Sequence, residues 1–168
     1  MYFLEAKSEH IPIIQDIAQA TWPVAYANIL SQAQSDYMLN MMYTDQALKK
    51  QMEELGHHFL LIGNENTSEY LGFVSFEFNY RATLQTKIHK LYVLPQFQGM
   101  RLGQILIEKV SEKTVDRGNV SILLNVNRYN QALNFYKHIE FNIIGEENID
   151  IGNGFLMEDY ILEKRICR

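Results

Sequence analysis

One stretch decides the fold of this chain: Leu91-Tyr92-Val93-Leu94-Pro95-Gln96-Phe97-Gln98-Gly99-Met100-Arg101-Leu102-Gly103-Gln104. Its apolar start predicts a strand that Pro95 ends, and the loop after it leads into an amphipathic helix over residues 104–117. The start of such a helix presents unpaired N–H groups and the positive end of the helix dipole, which suit a pyrophosphate. Gly99 would let the backbone approach the anion without a Cβ in the way. An ordinary strand–loop–helix connection with two incidental glycines is the alternative.

The rest of the chain predicts a mixed α/β sheet. Residues 2–6 are typical of a strand, and three helices follow, which begin with caps at Ser8, Ser31 and Thr44. Trp22-Pro23 is expected to end the first helix, and Gly56 the third. Strands are predicted over residues 58–62, 69–80, 86–94, 120–126, 141–144 and 155–162, with a helix over residues 130–138. This order predicts one sheet with helices on both faces, in a single domain over residues 1–168.

Composition excludes several classes of function. The chain has 168 residues, of which 47% are hydrophobic and 21% charged, and its net charge is −5. Nucleic-acid binders show clusters of Lys and Arg, which this chain lacks, so we expect no nucleic-acid partner. An acidic balance slightly favours a cationic substrate. The five histidines show no metal-ligand spacing, so no metal is predicted.

The chain also lacks signals for export or membrane insertion. Its N-terminus has neither the basic region nor the long apolar run of a signal peptide, and no stretch approaches the roughly 20 apolar residues that span a bilayer. The single cysteine, Cys167, cannot form a disulfide within the chain, and its place near the end makes it a poor nucleophile. We therefore expect a cytoplasmic protein without a membrane partner.

The quoted stretch resembles motif A of the GCN5-related N-acetyltransferases, the GNAT family. That motif is a strand ending in Val, followed by Gln/Arg-x-x-Gly-x-Gly/Ala at the start of a helix. Here Val93 is followed by Gln98-Gly99-Met100-Arg101-Leu102-Gly103. The first and last positions match, whereas Arg101 stands where the family usually has its middle glycine.

A second segment resembles motif B of the same family. It contains Leu124-Asn125-Val126 and then Asn130-Gln131-Ala132-Leu133-Asn134-Phe135-Tyr136, with Phe141 downstream. Glu140 replaces the glycine that usually precedes this phenylalanine. The two motifs occur in the right order and at about the right distance, and the resemblance covers nearly the whole chain.

The resemblance implies a GNAT-like fold in which the strand ending at Val93 splays from the strand over residues 120–126. Acetyl-CoA would bind in this gap, with no other cofactor. The residues expected to contact it are Leu91, Val93, Gln98, Gly99, Met100, Arg101, Gly103, Gln104 and Asn130. The pantetheine arm would use backbone groups of the first strand, and the pyrophosphate those of the loop.

The resemblance also implies roles in catalysis. The Val93 N–H would stabilise the thioester oxygen as charge builds on it. Tyr136 matches the tyrosine that protonates the departing thiolate; a core aromatic is the alternative. Lys87 occupies the position at which histone-acetylating relatives carry a Glu that acts as the general base. His89 lies two residues further on the same strand face and is the candidate base, with an ordinary strand histidine as the alternative.

The acceptor is expected to be a small amine. Trp22, Tyr26 and Tyr43 could form an aromatic wall that attracts a cation, or they could belong to the core or a dimer surface. The layout is similar to bacterial polyamine N-acetyltransferases, so a polyamine-like acceptor is predicted; peptide N-termini and aminoglycosides stay open. A non-catalytic acyl-CoA sensor is the rival function, a domain for another nucleotide is a more distant one, and a homodimer is an open alternative.

Overall fold

The computed structural model describes residues 1–166, so Cys167 lies outside the described residues. One seven-stranded sheet has the order β1-β2-β3-β4-β5-β7-β6. Its strands are β1 (Tyr2–Glu5), β2 (His58–Gly63), β3 (Tyr70–Glu77), β4 (Gln85–Val93), β5 (Ser121–Asn127), β6 (Asn142–Gly152) and β7 (Phe155–Arg165). The helices are α1 (Ile11–Ala25), α2 (Gln32–Tyr43), α3 (Asp45–Glu53), α4 (Leu102–Asp116) and α5 (Ala132–His138). Only β4 and β5 pair in parallel; every other neighbouring pair is antiparallel, which confirms the predicted mixed sheet.

Each face of the sheet carries its own apolar core, as predicted. On one face, Leu106 and Val110 of α4 and Ile139 after α5 are buried together with strand residues. On the other face, Ile14 and Trp22 of α1 and Leu48 of α3 form a second buried cluster. Burying both faces in this way gives most of the stabilisation of the fold, at about 25 cal/mol for each Å² of apolar surface removed from water.

The first helix departs from the prediction at both ends. Ser8 begins a short 3₁₀ turn, and its hydroxyl donates to Glu53 instead of capping the helix, which starts at Ile11. The helix continues through Pro23 to Ala25, so the predicted break at Trp22-Pro23 is wrong. Proline removes one helical hydrogen bond near the last turn. The buried Trp22 ring, 1% exposed, supplies packing that offsets this loss.

The caps of the next two helices are confirmed. The side chain of Ser31 accepts a hydrogen bond from the Gln34 N–H at 3.1 Å, and that of Thr44 accepts one from the Ala47 N–H at 3.2 Å. The reciprocal half of the predicted capping box is not formed. The amide of Gln34 donates instead to the Leu156 carbonyl on β7, which ties α2 to the sheet.

Several predicted boundaries differ from the structure, most of them at polar segments. β3 ends at Glu77 instead of residue 80, because Asn79 and Arg81 adopt left-handed backbone conformations that end the strand. α5 begins at Ala132, two residues later than predicted. β6 extends to Gly152, well beyond the predicted residues 141–144. It is an edge strand, and the polar run Gly145-Glu146-Glu147-Asn148 interrupts its apolar residues, so the sequence did not indicate its length.

The parallel pair of strands separates part of the way along. β4 pairs with β5 only from Gln85–Ser121 to Ile88–Leu124, although β4 continues to Val93 and β5 to Asn127. A β-bulge coincides with the separation: on β3, Ser75 faces Lys90 and Phe76 faces Ile88, which leaves His89 unopposed. A bulge bends a strand and increases its twist. The predicted splayed strand pair is therefore present.

A buried polar cluster holds the paired half of these strands together. The Asn119 side-chain oxygen accepts hydrogen bonds from the Asn79 N–H at 3.0 Å and from the Thr86 hydroxyl at 3.1 Å. Thr114 of α4 donates to the Thr86 hydroxyl oxygen at 3.0 Å. Thr86 and Thr114 are fully buried, so losing a partner would leave a polar group without either water or protein to bond.

Asn119→Ala should lower the free energy of unfolding by about 1–3 kcal/mol, because it removes the acceptor for two donors near the start of β4. Urea unfolding followed by far-ultraviolet circular dichroism measures this change. Asn142→Ala, at an exposed position with one long hydrogen bond of 3.4 Å, is the matched control and should change little. Equal effects in the two variants would contradict the assigned role of Asn119.

Candidate active site

A cavity of about 1020 Å³ opens between the separated strands. Most of the residues predicted from the sequence line it: Trp22, Tyr26, Tyr43, His89, Leu91, Val93, Gln98, Gly99, Gly103, Asn130 and Tyr136. Met100, Arg101 and Gln104 do not contribute to its wall. Met100 is 52% exposed, and the Gln104 side chain donates to Glu108. The structure therefore brings the two predicted catalytic residues, the aromatic residues and most of the loop to one site.

The loop before α4 has the backbone geometry of an anion site. Gly99 has φ +84°, and a Cβ built on it meets no atom within 4 Å, so its surroundings are open. Among residues 1–166, the first backbone N–H after Gln98 that bonds within the chain is that of Ile105, which donates to Arg101 at 3.0 Å. The N–H groups between them are free to bind an anion at the positive end of the helix dipole.

The two departures from the family motifs share one backbone conformation. Arg101 has φ 59° and Glu140 has φ 72°, and both replace glycines of the family pattern. A left-handed residue with a Cβ costs roughly 1–2 kcal/mol relative to its preferred conformation. The chain therefore keeps the bend that glycine favours at both positions, and the substitutions do not alter the course of the backbone.

Two of the predicted cofactor residues have side chains that already bond to neighbouring backbone groups. Gln98 donates through its amide to the Val93 carbonyl at 3.4 Å, which folds the loop back onto the end of β4. The Asn130 side-chain oxygen accepts from the Ala132 N–H at 2.9 Å and supports the start of α5. The amide nitrogen of Asn130 makes no bond within the described part of the chain, so it is available at the cavity wall.

Tyr136 lies on α5 with its ring packed between Phe135 and Phe141. The residue is buried and lines the cavity. Burial raises the pKa of its hydroxyl well above 10, with a smaller contribution from Tyr26. The hydroxyl is therefore protonated at neutral pH, as a proton donor must be.

His89 sits at the bulge of β4, and its ring contacts Glu77 and His57. Its Nε2 lies 2.9 Å from Oε2 of Glu77, and its ring stacks on that of His57 with centroids 4.0 Å apart. Burial, His57 and the lysines at positions 90 and 87 lower the pKa of His89 to about 2, and they outweigh the nearby carboxylate. So low a pKa makes the ring a weak proton acceptor at neutral pH, and its role as base stays a prediction.

The fold brings together three side chains of types that can bind a metal, although their spacing in the sequence did not indicate a site. Ligand atoms of His57, Glu77 and His89 all lie within 4.8 Å of one another. Spacing along the chain missed this group because the residues come from three places, before β2, at the end of β3 and in the middle of β4. The hydrogen bond from a neutral His89 ring to Glu77 satisfies the carboxylate without an ion. The prediction that the protein needs no metal stays a prediction.

Aromatic rings form one wall of the cavity. The rings of Trp22 and Tyr26 lie 4.5 Å apart, and those of Trp22 and Tyr43 6.1 Å apart at a steep angle. The hydroxyls of Tyr26 and Tyr92 are 3.4 Å apart. Trp22 and Tyr43 belong to the core and also line the cavity. Trp22 and Tyr43 are therefore core residues and cavity-wall residues at the same time.

A polar cluster that lines the same cavity was not foreseen from the sequence. The ammonium of Lys87 donates to the Asn125 side-chain oxygen, and the Asn125 amide donates to Glu147 at 3.0 Å and to Asp159 at 3.3 Å. Burial lowers the pKa of Lys87 to about 8, although both carboxylates act to raise it. The residues come from four different strands, so only the sheet order could have indicated the cluster.

A parallel strand pair that separates beside a helix start with free N–H groups defines the class of protein: an acyltransferase fold. A sequence profile of the acetyltransferase (GNAT) family matches residues 13–141. The chain belongs to this family, which confirms the resemblance drawn from the two motifs.

Particular relatives agree with this assignment. An uncharacterised N-acetyltransferase of Archaeoglobus fulgidus is 36% identical over 77 residues, which is 43% of this chain and 52% of that protein. The chain thus spans about half the length of the curated relative that it matches. The PaiA N-acetyltransferase of Thermoplasma acidophilum, solved in complex with coenzyme A, has a TM-score of 0.78 at 21% identity, over 98% of this chain and 99% of that one.

An aminoglycoside 6'-N-acetyltransferase solved with coenzyme A has a TM-score of 0.65 at 17% identity, over 100% of this chain and 98% of that one. At these identities the solved structures show a shared fold. Within residues 1–166, helices long and apolar enough to cross a bilayer are absent.

The imidazoles of His57 and His89 should stay neutral down to about pH 5, because their pKa values are lowered to about 4 and about 2. The unfolded chain takes up protons near pH 6.5, so the folded protein should lose stability as pH falls below that value. NMR titration of the imidazole signals measures this, with His57→Gln and His89→Gln giving the assignments. A midpoint near 6.5 for either ring would contradict the described environment.

Proposed function

We propose that this GNAT-family protein transfers the acetyl group of acetyl-CoA to a primary amine of a small cationic acceptor, of the polyamine type. The observation that carries the proposal is the gap between β4 and β5, whose walls include the aromatic cluster and Tyr136. The two relatives solved with coenzyme A share the fold, which supports acetyl-CoA as the donor.

The gap fits the pantetheine arm of acetyl-CoA. From His89 to Val93, β4 has a partner only on its β3 side, so its other edge offers backbone donors and acceptors. An extended, amide-containing arm can bond there as an added strand would. The free N–H groups after Gln98 would then hold the pyrophosphate. This placement sets the thioester near Val93, where the N–H group would stabilise the developing oxyanion.

Transfer needs one proton to leave the amine and one to reach the sulfur. An ammonium has no lone pair, so it must lose a proton before its nitrogen attacks the thioester carbon. As the C–S bond breaks, Tyr136 gives its proton to the thiolate and regains one from the nitrogen of the intermediate. Such proton transfers contribute typically 10²–10⁴-fold to the rate.

The acceptor side of the cavity suits a cation with an apolar spacer. Tyr26 and Trp22 offer ring faces, and Met38 and Met42 of α2 add adaptable apolar surface. Glu147 and Asp159 add two carboxylates to the same cavity wall. A flexible diamine or polyamine would contact both kinds of surface along its length, which supports this acceptor class over peptide N-termini and aminoglycosides.

Lys87 in the position of the family Glu supports one rival, a protein that binds acyl-CoA without turnover. The two functions differ in an assay of free thiol released from acetyl-CoA in the presence of spermidine, putrescine, an aminoglycoside and a peptide with a free N-terminus. We expect release with the polyamines above the rate in buffer. Binding of CoA with no release for any amine would favour the sensor and overturn the proposal.

Tyr136→Phe should reduce kcat for the best amine by about 10²-fold or more while the Kd for CoA stays unchanged, because only the proton on the departing thiolate is lost. Tyr160→Phe is the matched control, since it removes a hydroxyl from a tyrosine of the same core that does not line the cavity. A Tyr136→Phe enzyme as fast as the control would remove Tyr136 from the mechanism.

Gly99→Ala should weaken CoA binding by about tenfold, because a Cβ at φ +84° costs roughly 1–2 kcal/mol and turns the loop N–H groups away. Gly118→Ala provides the control. That glycine has φ +78° at the far end of α4, so it carries the same backbone strain without contacting the loop. Isothermal titration with CoA measures both, and equal affinities in the two variants would contradict the loop as the pyrophosphate site.

A further inference from the structure

A carboxylate in the cavity wall forms no close ion pair. Asp159 of β7 is 6% exposed, and its Oδ1 is buried without a hydrogen-bond partner among the described residues. Its Oδ2 receives only the long bond of 3.3 Å from Asn125. No ion pair within 4.0 Å is formed by Asp159 in residues 1–166. A buried charge without a partner is costly, and proteins retain such groups where a ligand completes them.

The position of Asp159 is that of a group facing the reaction. In the sheet it lies opposite Asn127, the last residue of β5, on the stretch of β5 that β4 has left. It lines the same cavity as Tyr136 and Val93. A ligand that enters the gap between the strands therefore passes beside this carboxylate.

We propose that the carboxylate of Asp159 binds the ammonium group of the acceptor and takes its proton before attack. The inference rests on the proposed acetyl transfer and assigns its missing base. The N–H bond of the ammonium breaks and an O–H bond forms on Asp159. The freed lone pair then forms the C–N bond as C–S breaks, and the proton leaves Asp159 to solvent after the product departs.

The surroundings of Asp159 suit this role. The charged and titratable groups that act on it are Lys87 from β4, Glu147 from β6, Arg128 after β5 and Tyr26 from α1. Burial, followed by Glu147, raises the pKa of Asp159 above its ordinary value. A raised pKa makes a carboxylate a better proton acceptor, closer to the working pH. Lys87 and Arg128 act in the other direction on this pKa, because nearby cations favour the charged form.

The aromatic wall completes a site for one ammonium. Tyr26 and Asp159 both line the cavity, and the charge of Asp159 acts to raise the pKa of the Tyr26 hydroxyl. A cation between a carboxylate and an aromatic face gains from both. Glu147, held by the Asn125 amide at 3.0 Å, provides a second carboxylate beside the first. The chemical class that fits is a primary amine with a second cationic nitrogen.

The test compares Asp159→Asn with Glu158→Gln. Glu158 is the neighbouring carboxylate on β7 but lies outside the cavity wall. For the best amine, we expect Asp159→Asn to lower kcat/KM by at least about 100-fold with an unchanged Kd for CoA. The acid limb of the kcat/KM profile should also disappear in this variant, whereas Glu158→Gln should keep the rate and the limb.

Folding is measured on the same samples. The folded state raises the pKa of Asp159, so its charged form destabilises the fold at neutral pH, and Asp159→Asn should melt no lower than the unmodified protein. If Asp159→Asn is unfolded, Asp159→Ser is compared with Glu158→Gln in its place. Unfolding of both, with Glu158→Gln folded, would show that Asp159 serves stability and would overturn the inference.

The outcomes distinguish a failure of the role assigned to Asp159 from a failure of the proposed acetyl transfer. If no amine is acetylated by the unmodified protein, the proposed transfer fails. If amines are acetylated and Asp159→Asn works as well as Glu158→Gln, the transfer stands and only the role of Asp159 is overturned. An acid limb that persists in Asp159→Asn would likewise assign the base to another group.

Discussion

The parting of β4 from β5 is the constraint on which the rest of the structure depends. Strand backbone groups that lie inside a protein need hydrogen-bond partners, and a sheet normally supplies them. Here the pairing stops after Ile88 and Leu124, and the bulge at His89 bends β4 away. β3 holds the other edge of β4, and β7 holds β5 as far as Asn127, so the gap cannot close without breaking established ladders. The backbone groups on the free edges of β4 and β5 lack partners, which an amide-bearing ligand could supply.

The buried polar groups around this gap fall into two sets, one with hydrogen-bond partners in the protein and one without. In the paired half, Asn119, Thr86 and Thr114 satisfy one another, so the cluster holds the strands together. Around the cavity, Nε1 of Trp22, the hydroxyl of Tyr43 and Oδ1 of Asp159 are buried without hydrogen-bond partners among the described residues. Since an unsatisfied buried group costs about 1–3 kcal/mol, the contrast separates groups whose burial is compensated within the fold from groups whose burial is not.

The sequence predicted the parts of the molecule whose signals are local. The strand before Pro95, the helix that follows the loop and the caps at Ser31 and Thr44 all follow from neighbouring residues and are present, although the helix begins at Leu102, two residues earlier than predicted. It did not predict the cluster of Lys87, Asn125, Glu147 and Asp159, because those residues meet only through the sheet order. The length of β6 was missed for another reason: the polar run Gly145-Glu146-Glu147-Asn148 separates the isoleucines at its start from those at its end.

Motif departures are better judged by backbone conformation than by residue identity. Arg101 and Glu140 both stand where the family pattern has glycine, and both keep the left-handed conformation that glycine adopts easily. The chain therefore tolerates a local cost of roughly 1–2 kcal/mol at each position rather than change the course of the loop. Local strain is retained where the surrounding structure fixes the backbone. At Arg101 the departure also adds a positive charge to the residue that precedes α4, at the end of the helix whose dipole favours anions.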